Sequence, residues 1–482
     1  MKVRGFKLFG FLFLITCMQS IHAEIKLPAI VSSNMVLQRN TTVKLWGWAD
    51  PGEVVNIKLS WSEEALVLIA DSEGNWSIET KTSNSKDSQE ILIKGETSEI
   101  VLNNILFGEV WLCSGQSNME QSIRGYHGQP TYGSNGAIAQ AKNFNLRLFD
   151  VEHSASKFPI KDIEEYTGWI EASPESIPNF SAIAYYFGEQ LQDILDVPVG
   201  LIVTGWGGSA VQAWMSNEAL SQFQKINLDE LNIQEKPRRA PTVMFNAMIH
   251  PLIPYTIKGA LWYQGEANRN EPETYKTLFP AMVKDWRARW GIGDFPFYYV
   301  QIAPYSYNKI DAFQDVDNSA FLREAQLECL DQIPNSGIAI TMDVGEENFI
   351  HPPRKKEVAD RLLFNALHQT YGFKTVDHAS PIYESMVEKD GGLVLSFKNA
   401  ETGLYTYDTL KGFEIAGADK VFYPAEAKIT NQGKNIYVQS NQVTNPVAVR
   451  YAWCNWIVGS LYDANLLPAS SFRTDNWTDA TH

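Results

Sequence analysis

The chain has 482 residues, enough for two to four domains at roughly 100–200 residues each. Apolar residues make up 44% and charged residues 20%, which excludes wholesale disorder. Against 56 Asp and Glu there are 40 Lys and Arg, a formal charge of −16 that repels phosphate backbones and argues against nucleic acid as a partner.

The first 23 residues read as an export signal. Lys2, Arg4 and Lys7 precede an apolar run at 8–18, and Ile21-His22-Ala23 offers a small residue at the cut. Periplasmic or extracellular placement follows as an expectation. A lipid anchor at Cys17 fits less well, because Thr16 stands before the cysteine. Cleavage removes three cations and no acid, so the charge moves from −16 to −19. No later run reaches ~18 uninterrupted apolar residues, so no integral membrane segment is expected in the mature chain. Cys17, Cys113, Cys329 and Cys454 are too scattered for a disulfide scaffold or a zinc site.

Residues 24–105 carry short alternating runs, such as 43–46 and 54–59, between turns at Asp50-Pro51-Gly52 and Ser72-Glu73-Gly74-Asn75. They predict a β-rich, sandwich-like region. From 106 to 375 the pattern changes to continuous apolar runs at 109–113, 146–149, 199–204, 257–263, 297–303 and 337–342. Helical spacing lies between several of them, as in Ile183, Phe187, Leu191 and Ile194 behind Ser181. This predicts an α/β domain, a parallel sheet flanked by helices, with ligands at the carboxyl ends of its strands. Residues 376–482 return to a β-rich pattern.

Four motifs follow predicted strands: Gly115-Gln116-Ser117-Asn118-Met119, Trp206-Gly207-Gly208-Ser209, Tyr263-Gln264-Gly265-Glu266-Ala267-Asn268 and Ile350-His351-Pro352-Pro353. Singly each has a plain structural reading as a helix cap, a tight turn, a buried polar network or a structural histidine. Together they offer a nucleophile, oxyanion donors and a base, the set that acyl transfer requires. His250 is the main competitor for the base. Neither a cluster of metal ligands nor a phosphate-binding glycine loop is visible, so neither metal nor cofactor is expected.

On these blocks the sequence resembles the sialate O-acetylesterase family within the SGNH hydrolases. Leu27-Pro28-Ala29-Ile30 and Leu467-Pro468-Ala469-Ser470 are similar to the family's opening and closing segments. The resemblance implies an SGNH-type α/β core and an esterase acting on acetylated glycans. Ser117 would attack the acetyl carbonyl and His351 would act as base. Ser117 N–H, Gly208 N–H and the Gln264 side chain would hold the oxyanion. Loss of one such donor typically costs about 10²–10³ in turnover, the expectation for Gln264→Ala with the fold intact. The family's acid before the histidine is missing, since Asn348 stands in that slot. Asp343, Glu346, Glu347 or none of them completes the set. Alternatives are an esterase for acetylated xylan or a related plant polysaccharide, and a decayed carbohydrate-binding protein. Arg124, Arg269 and Arg354 are the arginines nearest the blocks for an anionic sugar, and Trp206, Trp214 and Tyr263 the rings for a neutral one. The sequence leaves protein partners open.

Overall fold

The computed structural model describes residues 24–223, 233, 235–307 and 318–477. The expected export signal, with Cys17, lies outside the described residues.

The N-terminal flank is built from β1 (Val36–Gln38), β2 (Thr42–Trp48), β3 (Val54–Leu59), β4 (Leu66–Ile69), β5 (Asn75–Lys81) and β6 (Gln89–Lys94). β2 pairs antiparallel with β5, and β3 lies between β4 and β6. In β3, Val55, Ile57 and Leu59 are buried while Val54, Asn56 and Lys58 are exposed, the period of two that a one-faced sheet needs.

β7 (Glu99–Gly115) belongs to both the flank and the core. Its first part pairs antiparallel with β6, and its last part lies between two parallel neighbours. Burial changes along the strand to match, from alternation to unbroken burial over 105–115. The composition shift near residue 105 therefore marks a change of surroundings within one strand, not a linker.

The central sheet adds β8 (Asn143–Asp150), β9 (Ile170–Ala172), β10 (Val199–Gly205), β11 (Gly259–Tyr263), β12 (Phe297–Val300) and β13 (Ser336–Ala339). Its order is β13-β12-β11-β7-β10-β8-β9. All neighbours are parallel except β9 on β8. The chain leaves β7 toward one edge and later returns to its other side at β11. β7 is thus the switch point, where open α/β sheets bind ligands.

The helices are α1 (Ser117–Glu120), α2 (Ser134–Gln140), α3 (Ala182–Leu195), α4 (Asn217–Leu220), α5 (Pro272–Trp290), α6 (Ala320–Glu328) and α7 (Lys355–Asn365). Ser181 caps α3 by accepting from Ala184 N–H at 3.2 Å. Trp111 and Cys113 of β7 join the core under α3 and α7. Val110 and Leu112 join the other core, with Phe279 and Trp286 of α5 and Leu322 of α6. The sheet is covered on both faces, so the fold is α/β.

Beyond α7 the chain forms two four-stranded antiparallel sheets between Ile382 and Arg473. Buried Arg323 ties this flank to the core through Ser471 Oγ at 2.9 Å and Cys454 O at 2.7 Å. Cys113, Cys329 and Cys454 are free thiols. Among the described residues no helix is long and apolar enough to cross a membrane.

Candidate active site

Three neighbouring strands end level with one another. Gly115 of β7 is paired with Gly205 of β10 on one side and Tyr263 of β11 on the other. A Cβ on Gly115 would lie 2.2 Å from Tyr263 O, and its φ is +145°, so only glycine lets β7 end here and turn into α1. Gln116 then joins two of the motifs. Its N–H donates to Tyr263 O at 2.9 Å, and its Oε1 accepts from Gly265 and Ala267 N–H.

Ser117 follows and meets His351. Ser117 Oγ lies 2.7 Å from His351 Nε2. The opposite ring nitrogen, Nδ1, lies 2.8 Å from Gln129 Oε1. An amide oxygen can only accept, so Nδ1 carries the proton and Nε2 keeps its lone pair for the serine hydroxyl. Gln129 sits on a tight turn closed by reciprocal backbone bonds with Tyr126, both 2.9 Å. The same turn sets the Tyr126 ring edge-on to His351 at 4.9 Å and its hydroxyl on Ser117 O at 3.0 Å. Burial, helped by the Lys355 charge, pushes His351 down to about 4, so the ring is neutral at ordinary pH.

Among the described residues no acid bonds the His351 ring. Asp343 is held by Arg361 through two bonds of 2.8 and 2.7 Å, and neither Glu346 nor Glu347 bonds the ring. Asn348 does not reach it either. The position is filled by Gln129, a neutral residue from a loop that the sequence reading passed over.

The oxyanion side differs from the sequence reading at Gln264. Its side chain is fully buried, and its amide donates to Ser209 O at 3.0 Å and Asn268 Oδ1 at 2.8 Å. Both donor hydrogens are committed to the fold, so Gln264 braces the two glycine-containing turns instead of facing Ser117. Gln264→Ala would leave buried Ser209 O without this donor, while Asn268 Oδ1 keeps the Val211 N–H at 2.9 Å. It is expected to lower stability by about 1–3 kcal/mol, read as a fall in thermal midpoint. An unchanged midpoint with a 10²–10³-fold loss of turnover would restore the donor role. Gly207 approaches the serine, since a Cβ there would lie 3.2 Å from Ser117 Cβ, but its N–H is bound by Glu120 Oε2 at 2.6 Å. Gly208 has φ +73°. The N–H groups of Ser117 and Gly208 make no hydrogen bond among the described residues.

Ser117 and His351 line a cleft of about 280 Å³ with Trp206, Glu120, His153 and Arg238. His153 stacks on Trp206 at 4.5 Å and 3°. It also bonds Glu120 Oε1 at 3.2 Å, and that bond holds its pKa above the usual histidine value. An adjoining cavity of about 430 Å³ shares Glu120 and His153 and adds Asp150 and Glu152. Burial pushes Asp150 up to about 7, with Glu152 and Glu120 adding to the effect. A larger cavity of about 880 Å³, between α4 and α5, holds none of these groups.

Of the rings named from sequence, Trp206 faces the cleft. Trp214 and Tyr263 are fully buried and pack the core. Arg124, Arg269 and Arg354 do not line the cleft, whereas Arg238 does and donates to Gly207 O at 3.2 Å. His250 bonds Ile160 O at 3.0 Å and takes no part. Among the described residues no group of His, Cys, Asp or Glu is arranged to hold a metal ion.

Residues 108–355 match the family described as carbohydrate esterase, sialic acid-specific acetylesterase. The chain is 28% identical to the sialate O-acetylesterase of Homo sapiens over 476 residues, spanning 89% of this chain and 88% of that protein. It is 26% identical to the Mus musculus sialate O-acetylesterase, spanning 96% and 97%. Among solved structures it is similar to a carbohydrate acetylesterase from Xanthomonas citri. The TM-score is 0.84 and the identity 33%, over 94% of this chain and 100% of that one.

Proposed function

The chain belongs to the carbohydrate esterase family of sialic acid-specific acetylesterases, and from this premise we propose that it is an exported O-acetylesterase with Ser117 as nucleophile and His351 as general base. The observation that carries the proposal is the 2.7 Å contact between Ser117 Oγ and a neutral His351 Nε2 at the carboxyl end of the switch-point strand. Ser117 Oγ attacks the acetyl carbonyl carbon while its proton passes to Nε2. The tetrahedral oxyanion takes the open N–H groups of Ser117 and Gly208. His351 then gives its proton to the sugar oxygen as that C–O bond breaks. Water, deprotonated by His351, attacks the acetyl-serine, releases acetate and regenerates Ser117. Export rests on residues 1–23 and their signal-like pattern.

The substrate reading is an O-acetylated sialic acid. Arg238, exposed at the rim of the cleft, offers a cation to the sugar carboxylate. A neutral polysaccharide such as acetylated xylan is favoured by a different observation. The acidic side chains of Glu120 and Glu152, with Asp150 beside them, accept hydroxyl hydrogens and disfavour an anionic sugar. Acetate release from acetylated sialic acids and xylo-oligosaccharides, by wild type and Arg238→Gln, separates the two. The sialate reading expects KM for the sialate to rise about tenfold or more in Arg238→Gln with xylan hydrolysis unchanged. Release from xylan alone, or equal losses on both, would overturn it.

A further inference from the structure

Next to the Ser117–His351 pair, three buried polar side chains meet: Asn118, Glu266 and Lys355 are 0%, 4% and 1% exposed. Lys355 Nζ donates to Asn118 Oδ1 at 2.6 Å. Asn118 Nδ2 donates to Glu266 Oε1 at 2.6 Å and to Ile350 O at 3.1 Å. Asn118 directly follows the serine, and Ile350 directly precedes the histidine. One amide therefore grips the backbone on the histidine side from the residue next to the nucleophile. Its orientation is fixed, because its oxygen faces an ammonium and its nitrogen a carboxylate.

A buried ion pair is a poor source of stability, and apolar side chains of the same volume generally serve as well or better. Placing a lysine and a glutamate here, joined only through a single amide, calls for another reason. We propose that Lys355 and Glu266 are positioning residues that fix the separation of Ser117 and His351 through Asn118. The Lys355 ammonium adds to burial in disfavouring a protonated ring. This inference rests on the Ser117–His351 assignment.

The charged and titratable groups around His351 come from every side. Tyr126 packs on its ring, Glu120 stands on α1, His153 and Arg238 lie across the cleft, and Lys355 opens α7. After burial, the Lys355 charge is what lowers His351. Lys355 is itself pushed down to about 7 by burial and held up by Glu266.

The test uses the full chain and three variants: Lys355→Met, Glu266→Gln and the double. kcat, KM, thermal midpoint and the pH dependence of kcat/KM are measured for each. Each single variant leaves a buried ionisable group without its counter-group and a misplaced Asn118, and is expected to lose about 10²-fold in kcat with KM little changed. The double variant leaves no lone charge and is expected to recover about tenfold over Lys355→Met. In both variants lacking the lysine, the acid limb of kcat/KM is expected to move up by roughly one pH unit. If Lys355→Met fails to fold, the double variant carries the pH readout. Losses that multiply in the double variant, or an acid limb that stays put, would overturn the inference. Either result, with Ser117 still essential, leaves the nucleophile assignment standing.

Discussion

Ser117→Ala is expected to lower acetyl-ester turnover by roughly 10⁶ in kcat while leaving the thermal midpoint within a degree or two of wild type. The large kinetic effect follows from chemistry, since among the described residues no other hydroxyl lies against the His351 lone pair. The small structural effect follows from the contacts. Ser117 Oγ bonds His351 alone, the residue is half-buried, and α1 takes no side-chain cap from its N-terminal neighbour Gln116. Alanine keeps the Ser117 backbone N–H, so the oxyanion donors survive. A residual rate of roughly 10³–10⁴ over water is therefore expected even without the nucleophile. Hydrolysis of p-nitrophenyl acetate by wild type and variant provides the measurement, with the thermal midpoint as control. Turnover near the wild-type level would place the nucleophile elsewhere. Absence of hydrolysis by the wild type itself would favour the glycan-binding reading over the esterase.

The parts of this site that sequence could show are those written locally. β10 and β11 are continuous apolar runs, and a strand buried on both faces leaves little else to write. Ser117 and Gly208 follow strand ends and His351 stands in a loop marked by Pro352 and Pro353, where glycine and proline punctuate the chain. Gln129 is different. Its neighbours His127, Gly128 and Pro130 spell an ordinary turn, and its partner His351 lies 222 positions away. A contact made by tertiary docking of a loop leaves no periodicity to read. Gln264 fails in another way. A polar residue after a buried strand is either a site or a brace, and only the positions of Ser209 O and Asn268 Oδ1 show that it is a brace. Trp214 and Tyr263 show the same limit for rings, because an aromatic in a glycine-rich motif packs inward or outward without any change in composition. The apparent boundary near residue 105 has the same physical root. Pattern records the surroundings of a strand, and β7 passes from one setting to another without ending.

Gln129 is where a second pair of substitutions should speak most clearly. A histidine base needs its second nitrogen held, and a carboxylate usually does this while also stabilising the imidazolium. Changing such an acid to an amide in a serine protease costs about 10⁴ in kcat, attributed to the wrong imidazole tautomer. Here the amide presents its oxygen at 2.8 Å, so the productive tautomer is held without an anion. Gln129→Ala removes that hold and is expected to cost about 10²-fold in kcat through loss of orientation. Gln129→Glu adds a negative charge at hydrogen-bond distance from the ring and is expected to raise the His351 pKa by roughly 1–3 units. The sign is fixed by which form is active. With neutral His351 as the proposed base, wild-type kcat/KM is expected to fall as pH drops through about 4. In Gln129→Glu the same fall should come at a pH roughly 1–3 units higher. Above that limb the added carboxylate stabilises the imidazolium formed during attack, so kcat at pH 8 is expected to equal or exceed wild type. The pH profiles of kcat/KM for the three proteins decide it. An acid limb that does not move in Gln129→Glu, together with full turnover in Gln129→Ala, would remove Gln129 from the working site and reduce it to Ser117 and His351 alone.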